Sequence, residues 1–169
     1  MKKQSGATLA ITLILLFLVT LLGITAMQVT HMQEKMSANL QDKELSFNAA
    51  ESALAAGEAW ILGLTRQPSV QTTCSPFPCV QENYQDIIFK DQSVSWWQEN
   101  SAAYASPLDN IATPPRYFIE FLQFVPDSPT VGSSSAKSTG TFYYQITTRG
   151  TGASDNSVSI LQSTVGRRF

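Results

Sequence analysis

Apolar residues are concentrated near the start of the chain, where they form one uninterrupted run over residues 7–27. Not one Asp, Glu, Lys or Arg occurs between Gln4 and Gln33. In a helix these 21 residues would span roughly 30 Å, because each adds about 1.5 Å, and that is the thickness of the hydrocarbon core of a bilayer. The pattern predicts a helix that crosses a membrane.

The helical pattern continues beyond the apolar run but becomes amphipathic. No proline occurs before Arg66, and over residues 45–64 the apolar and small side chains recur every three or four positions. These positions are Ala49, Ala50, Ala53, Leu54, Gly57, Trp60, Ile61 and Leu64. A coiled coil would show a similar period, but a stripe rich in Ala and Gly favours close packing on a sheet. We expect one helix over residues 7–64, with its second half packed on a globular domain.

After residue 64 the pattern changes to that of strands and turns. Three segments are rich in β-branched and aromatic residues that alternate with a period of two, namely residues 116–125, 141–149 and 157–165. Residues 126–140 are expected to form a long hairpin connection, and residues 93–104 a short helix. The predicted fold class is α+β, with a long N-terminal membrane-spanning helix packed on a small antiparallel sheet.

Charge assigns the two ends of the chain to different surroundings and excludes several kinds of function. Lys2 and Lys3 precede the apolar run and the next basic residue is Lys35, so the N-terminus stays in the cytoplasm and the rest is exported, in a bacterium to the periplasm. The 169 residues allow one folded domain, and a net charge of −2 predicts no general attraction to nucleic acid. With one His and two Cys we expect no metal site and no cofactor.

Few side chains are candidates for chemistry, and we expect no enzyme. His31 has no acid or nucleophile arranged around it, so a solvated or interfacial histidine is expected rather than a general base. Glu120 is expected to be exposed or paired with Arg116 or Arg149, with an isolated buried carboxylate as the alternative. Some aromatic residues are expected in the core, with a partner-facing surface as the alternative. They are Trp96, Trp97, Phe118, Phe121 and Phe124.

Cys74 and Cys79 lie five positions apart in a loop that is rich in proline. In a chain exported to an oxidising compartment, such a pair is most simply a local disulfide. A redox-active pair is the alternative, but the spacing differs from C-x-x-C and no reactive-thiol surroundings are visible. We therefore expect a disulfide that closes the loop.

Small residues, Ser5-Gly6-Ala7, stand before the apolar run rather than after it. An ordinary secretory signal has a shorter apolar core of roughly 7–15 residues and is cleaved beyond it. The arrangement here resembles the N-terminus of type IV prepilins and type II secretion pseudopilins. The resemblance implies that a prepilin peptidase cuts between Gly6 and Ala7 and methylates the new N-terminus. A plain single-span anchor that retains Met1 is the alternative.

Ile11 departs from the pattern of these families, most of which have a glutamate as the fifth residue after the cut. No acid lies anywhere in the apolar run. In the family, that glutamate is thought to neutralise the methylated amine of the neighbouring subunit, because an unpaired charge in apolar surroundings is costly. Its absence weighs against an abundant filament subunit and favours a rare subunit at the tip.

A second and more specific resemblance is to PilX-type minor pilins, which carry E-x-M-x-x-N followed by A-F-x-A-A-E-x-A-L. The matching positions are Glu34, Met36, Asn39, Phe47, Ala49, Ala50, Glu51, Ala53 and Leu54, with Ser46 in place of the first alanine. Near the C-terminus, the order Y-x-I-T-x-R-G-x-G, from Tyr144 to Gly152, continues the resemblance. Only residues 65–114 are without support from it.

This resemblance implies a pilin-like fold with four parts: a leader (1–6), a transmembrane or filament-core half of the helix (7–29), an amphipathic half (30–66) and a periplasmic head (67–169). It implies a minor pilin in type IV pilus assembly, located in the inner membrane and then at the pilus tip. The implied partners are other minor pilins, the major pilin, the prepilin peptidase, the inner-membrane assembly platform and a tip adhesin. A pseudopilin of a type II secretion system and a membrane-anchored periplasmic binding protein are the alternatives.

Overall fold

The computed structural model describes residues 7–83, 87–127 and 139–169, and it divides the chain into two compact units, Met1–Gln41 and Asp42–Phe169. We number two α-helices and six strands in chain order; a single 3₁₀ turn, Phe89–Asp91, precedes the second helix. They are α1 (Ala7–Gly63), β1 (Val70–Gln71), β2 (Val80–Gln81), α2 (Val94–Asn100), β3 (Ala102–Ala103), β4 (Arg116–Pro126), β5 (Gly140–Thr151) and β6 (Val158–Arg167).

In the first unit, every described residue belongs to α1, and every one of residues 7–41 is exposed. By length and composition this helix could cross a membrane. It ends at Gly63, one residue before the predicted end, where the Leu64 N–H still bonds to the carbonyl of Ile61. The long N-terminal helix predicted from the apolar run and the amphipathic stripe is confirmed.

The second unit is built on one sheet in the order β1-β2-β4-β5-β6, with β3 also paired to β4. The three long strands β4, β5 and β6 are antiparallel, as predicted, and one register shift occurs between Phe121 and Gln123. The short strands were not predicted. Because β1 and β2 run parallel to each other and β2 runs parallel to β4, the sheet is mixed rather than purely antiparallel.

The connections agree with the predicted order of elements, with one difference. The first hairpin joins Pro126 to Gly140, and residues 128–138 of this connection lie outside the described residues. The predicted helix over residues 93–104 begins correctly, because Ser93 caps it by accepting from the Trp96 N–H, but it ends at Asn100. Residues 102 and 103 pair with the start of β4 instead, so tertiary pairing overrides the helical tendency of two alanines.

The core lies between the second half of α1 and the face of the sheet that carries Tyr117, Ile119, Tyr144 and Ile146. The helix contributes small residues to it. The buried positions of α1 are Ser46, Ala49, Ala50, Ala53, Gly57 and Ile61. A side chain on Gly57 would come within 2.9 Å of Ile146 Cγ2, so the glycine allows helix and sheet to approach closely. The predicted stripe is confirmed, although Leu54, Trp60 and Leu64 are only partly buried.

Candidate functional site

The first unit presents a helix surface made of large aliphatic side chains. Leu9 is 76% exposed and Leu22 is 69% exposed, and Ile11, at the position where a glutamate is usual in pilins, is 56% exposed. Ala7 is the first residue of α1, whereas Gly6 lies outside the described residues, so the predicted cleavage site stays a prediction.

Four threonine hydroxyls in this surface are satisfied within the helix itself. Each donates to a carbonyl three or four residues earlier, over distances of 2.8–3.0 Å. They belong to Thr12, Thr20, Thr25 and Thr30. A hydroxyl paired in this way can be placed in apolar surroundings without the cost of an unpaired polar group. The surface is therefore apolar in composition, and these four hydroxyls leave no unpaired donor on it.

Among the described residues of this unit, charged side chains begin at Glu34. His31 is exposed, and its Nδ1 lies 4.0 Å from Glu34 Oε2, one turn further along α1. This contact between two exposed side chains is worth little in free energy. The exposure agrees with the expectation of a solvated or interfacial histidine.

In the second unit, the turn between β5 and β6 is held against α1 by two glycines and one carboxylate. A side chain on Gly150 would overlap the backbone of Ser46 and Ala50, and one on Gly152 would overlap Asp42. The carboxylate of Asp42 accepts from the Ser154 hydroxyl at 2.6 Å and from the Ser154 N–H at 3.3 Å. The hydroxyl bond is the main reason that the pKa of Asp42 lies below its usual value.

Polar contacts connect β6 to α1 further along the helix. Ser46 donates to the carbonyl of Lys43, so the 2.7 Å bond between Ser46 and Ser159 is donated by Ser159. Ser163 donates to the carboxylate of Glu58. Together with the glycines of the turn, these contacts fix the register of the sheet on the helix.

Arg167, at the end of β6, binds the C-terminal end of α1. Its guanidinium donates to the carbonyls of Leu62 and Leu64, which have no partner within the helix. Arg167 also lies over the ring of Phe169, with 5.3 Å between Cζ and the ring centroid. The strand pattern offered no signal for this cap, because the sequence does not show which end of the helix the strand reaches.

Cys74 and Cys79 form the predicted disulfide, with a Cα–Cα distance of 5.8 Å. The closed loop lies between β1 and β2 and brings the two strands into parallel pairing, Val70 with Val80. Val80 is fully buried in the core. The disulfide therefore anchors the first edge of the sheet, and no cysteine is free.

The aromatic residues divide into two groups. Trp97 and Phe118 are buried on the outer face of the sheet, where they meet Phe89 and Trp96. The second group is half-buried at the other end of the sheet and lies on the face that carries Tyr144. Its members are Phe121, Phe124 and Phe142, with Phe169 beside them. Core packing is thus confirmed for Trp97 and Phe118, whereas Trp96, Phe121 and Phe124 are only partly covered.

Glu120 corrects one expectation. It is 2% exposed, so the prediction of an exposed carboxylate is wrong, whereas its pairing with Arg116 or Arg149 stays a prediction. The reason is its place in the sheet, because β4 lies between β2 and β5 at this position and Glu120 is paired with Gln81 and Gln145. The burial agrees with the alternative of a buried carboxylate, but Glu120 is not isolated.

Two cavities formed by described residues of the second unit are small and are lined by no arrangement of acid, base and nucleophile. One of about 320 Å³ is lined by Tyr104, residues 105–108, Ile111 and two prolines. A second, of about 130 Å³, is lined by four residues of α1 together with Leu108, Asp109 and Ile111. Within the described residues, no group of three His, Cys, Asp or Glu could hold a metal ion.

Comparison with known families gives two matches that together cover nearly the whole chain. PilX N-terminal matches residues 5–55, and Type IV pilus assembly protein PilX C-term matches residues 42–167. The chain belongs to the PilX family. No curated protein and no solved structure matched the chain.

Membership of the PilX family establishes the broad role, because the family is a component of type IV pilus assembly and not a family of enzymes. The suspected resemblance and the pilin-like α+β fold are therefore confirmed. Because the family is one of type IV pilus assembly proteins, the match favours the pilus over the alternative of a secretion-system pseudopilin. The apolar helix is compatible with a single-pass anchor in the inner membrane.

The family motifs now have positions in the structure. Glu34, Met36 and Asn39 are exposed on α1 in the first unit, whereas the second motif places Ala49 and Ala50 in the core. In the C-terminal motif, the two glycines pack on α1, as described above. Sequence reasoning identified these motifs by resemblance, and the close approach of helix and sheet gives a physical reason for their small residues.

Proposed function

We propose that this PilX-family chain is a minor pilin whose first unit passes from the inner membrane into the filament. The supporting observation is the surface of residues 7–33, which is exposed and free of Asp, Glu, Lys and Arg. The hydroxyls of Thr12, Thr20, Thr25 and Thr30 in this surface are paired within the helix. Lipid tails and a bundle of apolar helices are both suitable surroundings for such a surface. In this proposal the leader, residues 1–6, is removed after Gly6, and Ala7 becomes the methylated N-terminus.

We further propose that the chain acts in an initiation complex at the pilus tip. Ile11 cannot neutralise the amine of a neighbouring subunit, so the chain lacks the pairing that a repeated shaft subunit requires. A tip subunit has no earlier neighbour whose amine must be neutralised. The partners in this role are other minor pilins, the major pilin, the inner-membrane assembly platform and a tip adhesin, with the head in the periplasm before assembly.

The experiment that tests the pilin assignment is the intact mass of the protein purified from its own membranes, with and without an active prepilin peptidase. We expect loss of residues 1–6 and one added methyl group on Ala7, both dependent on the peptidase. Replacing Gly6 with valine should leave the leader attached and abolish piliation. A chain that retains Met1 in the presence of the peptidase would instead be a plain membrane anchor.

The tip assignment is tested at Ile11. If the chain occupies the tip, Ile11→Glu gives no increase in the number of pili, because no neighbouring amine needs the carboxylate. Ile11→Gln is the matched control, since it adds a polar group without charge. More pili in the Ile11→Glu strain than in both the wild type and the control would contradict a tip position and favour a place in the shaft.

A further inference from the structure

The C-terminal family motif contains one residue that packing on α1 does not explain. Gly150 and Gly152 face the helix, and alternation along β5 therefore directs Arg149 to the outer face of the sheet. Arg149 is only 7% exposed. In the described part of the chain it forms no hydrogen bond through its side chain and no ion pair.

Its cross-strand neighbour, which is half-buried, shows how an arginine on the same face is satisfied. Arg116, which is paired with Arg149 in the register of β4 and β5, donates to the carbonyls of Trp97, Gln98 and Ser101 at 2.7–2.8 Å. Those carbonyls belong to the end of α2. Arg149 is left beside a second positive charge without acceptors of its own.

Asp155, whose charge acts on Arg149, does not provide a hydrogen-bond acceptor for it. Asp155 lies beyond the end of β5 and acts on Arg149 only at a distance, raising its pKa, whereas burial is the larger influence and lowers it. The Oδ1 atom of Asp155 already accepts from the Thr113 hydroxyl at 2.7 Å. The nitrogens of the Arg149 guanidinium are not among the fully buried side-chain atoms that lack a partner, so they can still be reached from outside. A carboxylate can bind such a guanidinium through two parallel hydrogen bonds.

The surface around Arg149 is accessible from the edge of the sheet. β6 is the last strand in the sheet order, and the register places Ile160 directly beside Arg149. Ile160 is half-buried, and Gln162 and Thr164, which follow on the same face, are exposed. A buried arginine surrounded by partly exposed side chains is the arrangement found at the centre of protein interfaces.

We propose that Arg149 receives a carboxylate side chain of a neighbouring pilus subunit, which docks on the outer face of β5 and β6. The proposal rests on the proposed function, because it requires that the chain assembles with other pilus subunits. It adds to that function the surface used and the chemistry of the partner residue. The partner contributes an Asp or Glu that lies against Ile160 and binds the guanidinium.

The test uses the full-length protein in piliated cells, with p-benzoylphenylalanine placed at Ile160 as a photo-crosslinker. A crosslinker at Val125, which is exposed and lies at the far end of β4, is the control for position. We expect a pilus subunit to be captured from position 160, and Arg149→Gln to reduce that capture at least tenfold. Arg66→Gln, which removes an exposed charge, should leave it unchanged.

A structural role for Arg149 is distinguished by the thermal unfolding of the purified protein in detergent. Because no hydrogen bond of the guanidinium occurs among the described residues, Arg149→Gln should leave the midpoint unchanged or raise it, and Arg149→Lys should retain part of the capture. A lower midpoint in Arg149→Gln with unchanged capture would overturn the proposal. So would equal capture from positions 160 and 125.

Identification of the captured subunit allows a charge reversal. Arg149→Glu should abolish capture, and an arginine in place of the partner's acid should restore it; failure of every such reversal would overturn the proposal. A wrong assignment of the proposed function would give a different experimental result. In that case the wild-type chain itself would retain its leader and would not be isolated with pili.

Discussion

In residues 7–41 the large aliphatic side chains are exposed, with Leu9 at 76% and Leu22 at 69%, whereas in residues 42–169 the helix buries Ala50, Ala53 and Gly57 against a sheet. Along this one helix, the large side chains are exposed and the small ones are buried. Small residues are buried where the chain supplies its own packing partner at close distance. Large ones are exposed where lipid or other subunits must supply the contact, so the first unit is completed only by its surroundings.

Shortening one aliphatic side chain in each unit should give the largest difference between the units in the free energy of unfolding. Ile146 is fully buried in the core, so Ile146→Ala should reduce the free energy of unfolding by about 3–4 kcal/mol. Leu18→Ala, at a position that is 50% exposed, should leave it unchanged. Chemical denaturation in detergent, followed by tryptophan fluorescence, measures both variants. Equal losses would mean that the first unit is also stabilised by packing within the chain.

Adding one methyl group to a glycine in each unit gives the next largest difference. The side chain of Gly150→Ala would overlap the backbone of α1, and overpacking of this kind should cost about 2–3 kcal/mol. Gly23 has nothing within 4 Å, so Gly23→Ala should be neutral or raise helix stability by up to about 1 kcal/mol. The same denaturation experiment tests the pair. A tolerated Gly150→Ala would show that the turn is not held closely to the helix.

Removal of the disulfide should destabilise only the second unit. Replacing both Cys74 and Cys79 with serine releases a short loop, and the loop-closure model gives a loss of about 2 kcal/mol. Addition of a reductant to the wild type should give the same loss, and addition to the double variant should give none. Membrane extraction of the first unit should not change. A double variant as stable as the wild type would show that the β1–β2 edge holds without the bond.

The smallest expected effect concerns pH and the bond between Asp42 and Ser154. The pKa of Asp42 is lowered in the folded state, chiefly by the Ser154 hydroxyl, so the stabilisation is present above the unfolded value of about 3.9 and is lost as the pH falls through the folded value. Ser154→Ala should therefore flatten the decline in stability over acidic pH. Thermal unfolding of the wild type and of Ser154→Ala between pH 7 and pH 3 measures this decline. An unchanged decline would assign the acid sensitivity to other carboxylates.

Patterns of residues along the chain predicted the elements that depend on local periodicity. The apolar run and the stripe from Ala49 to Leu64 predicted α1 to within one residue, and alternation predicted β4, β5 and β6. The disulfide followed from spacing and compartment. In each case one short-range physical rule, either helical period, strand period or loop closure, decides the structure.

Features that depend on distant pairing were not predicted. Strands of two residues, such as β1 and β3, have too few positions to show a period, and they exist only because β4 or a disulfide-closed loop is beside them. The burial of Glu120 likewise depends on a strand that arrives from forty residues earlier in the chain. In the candidate site, the sequence pattern predicted the apolar surface. The Arg167 cap and the position of Arg149, which has no hydrogen bond among the described residues, can be recognised only from the register of the sheet.

The threonine bonds within the first unit have a consequence for the kinetics of the proposed assembly. The hydroxyls of Thr12, Thr20, Thr25 and Thr30 are bonded to carbonyls of their own helix. For these four side chains, passage from lipid to a bundle of helices requires no hydrogen bond to be broken or formed. They therefore add nothing through hydrogen bonding to the activation barrier of that passage.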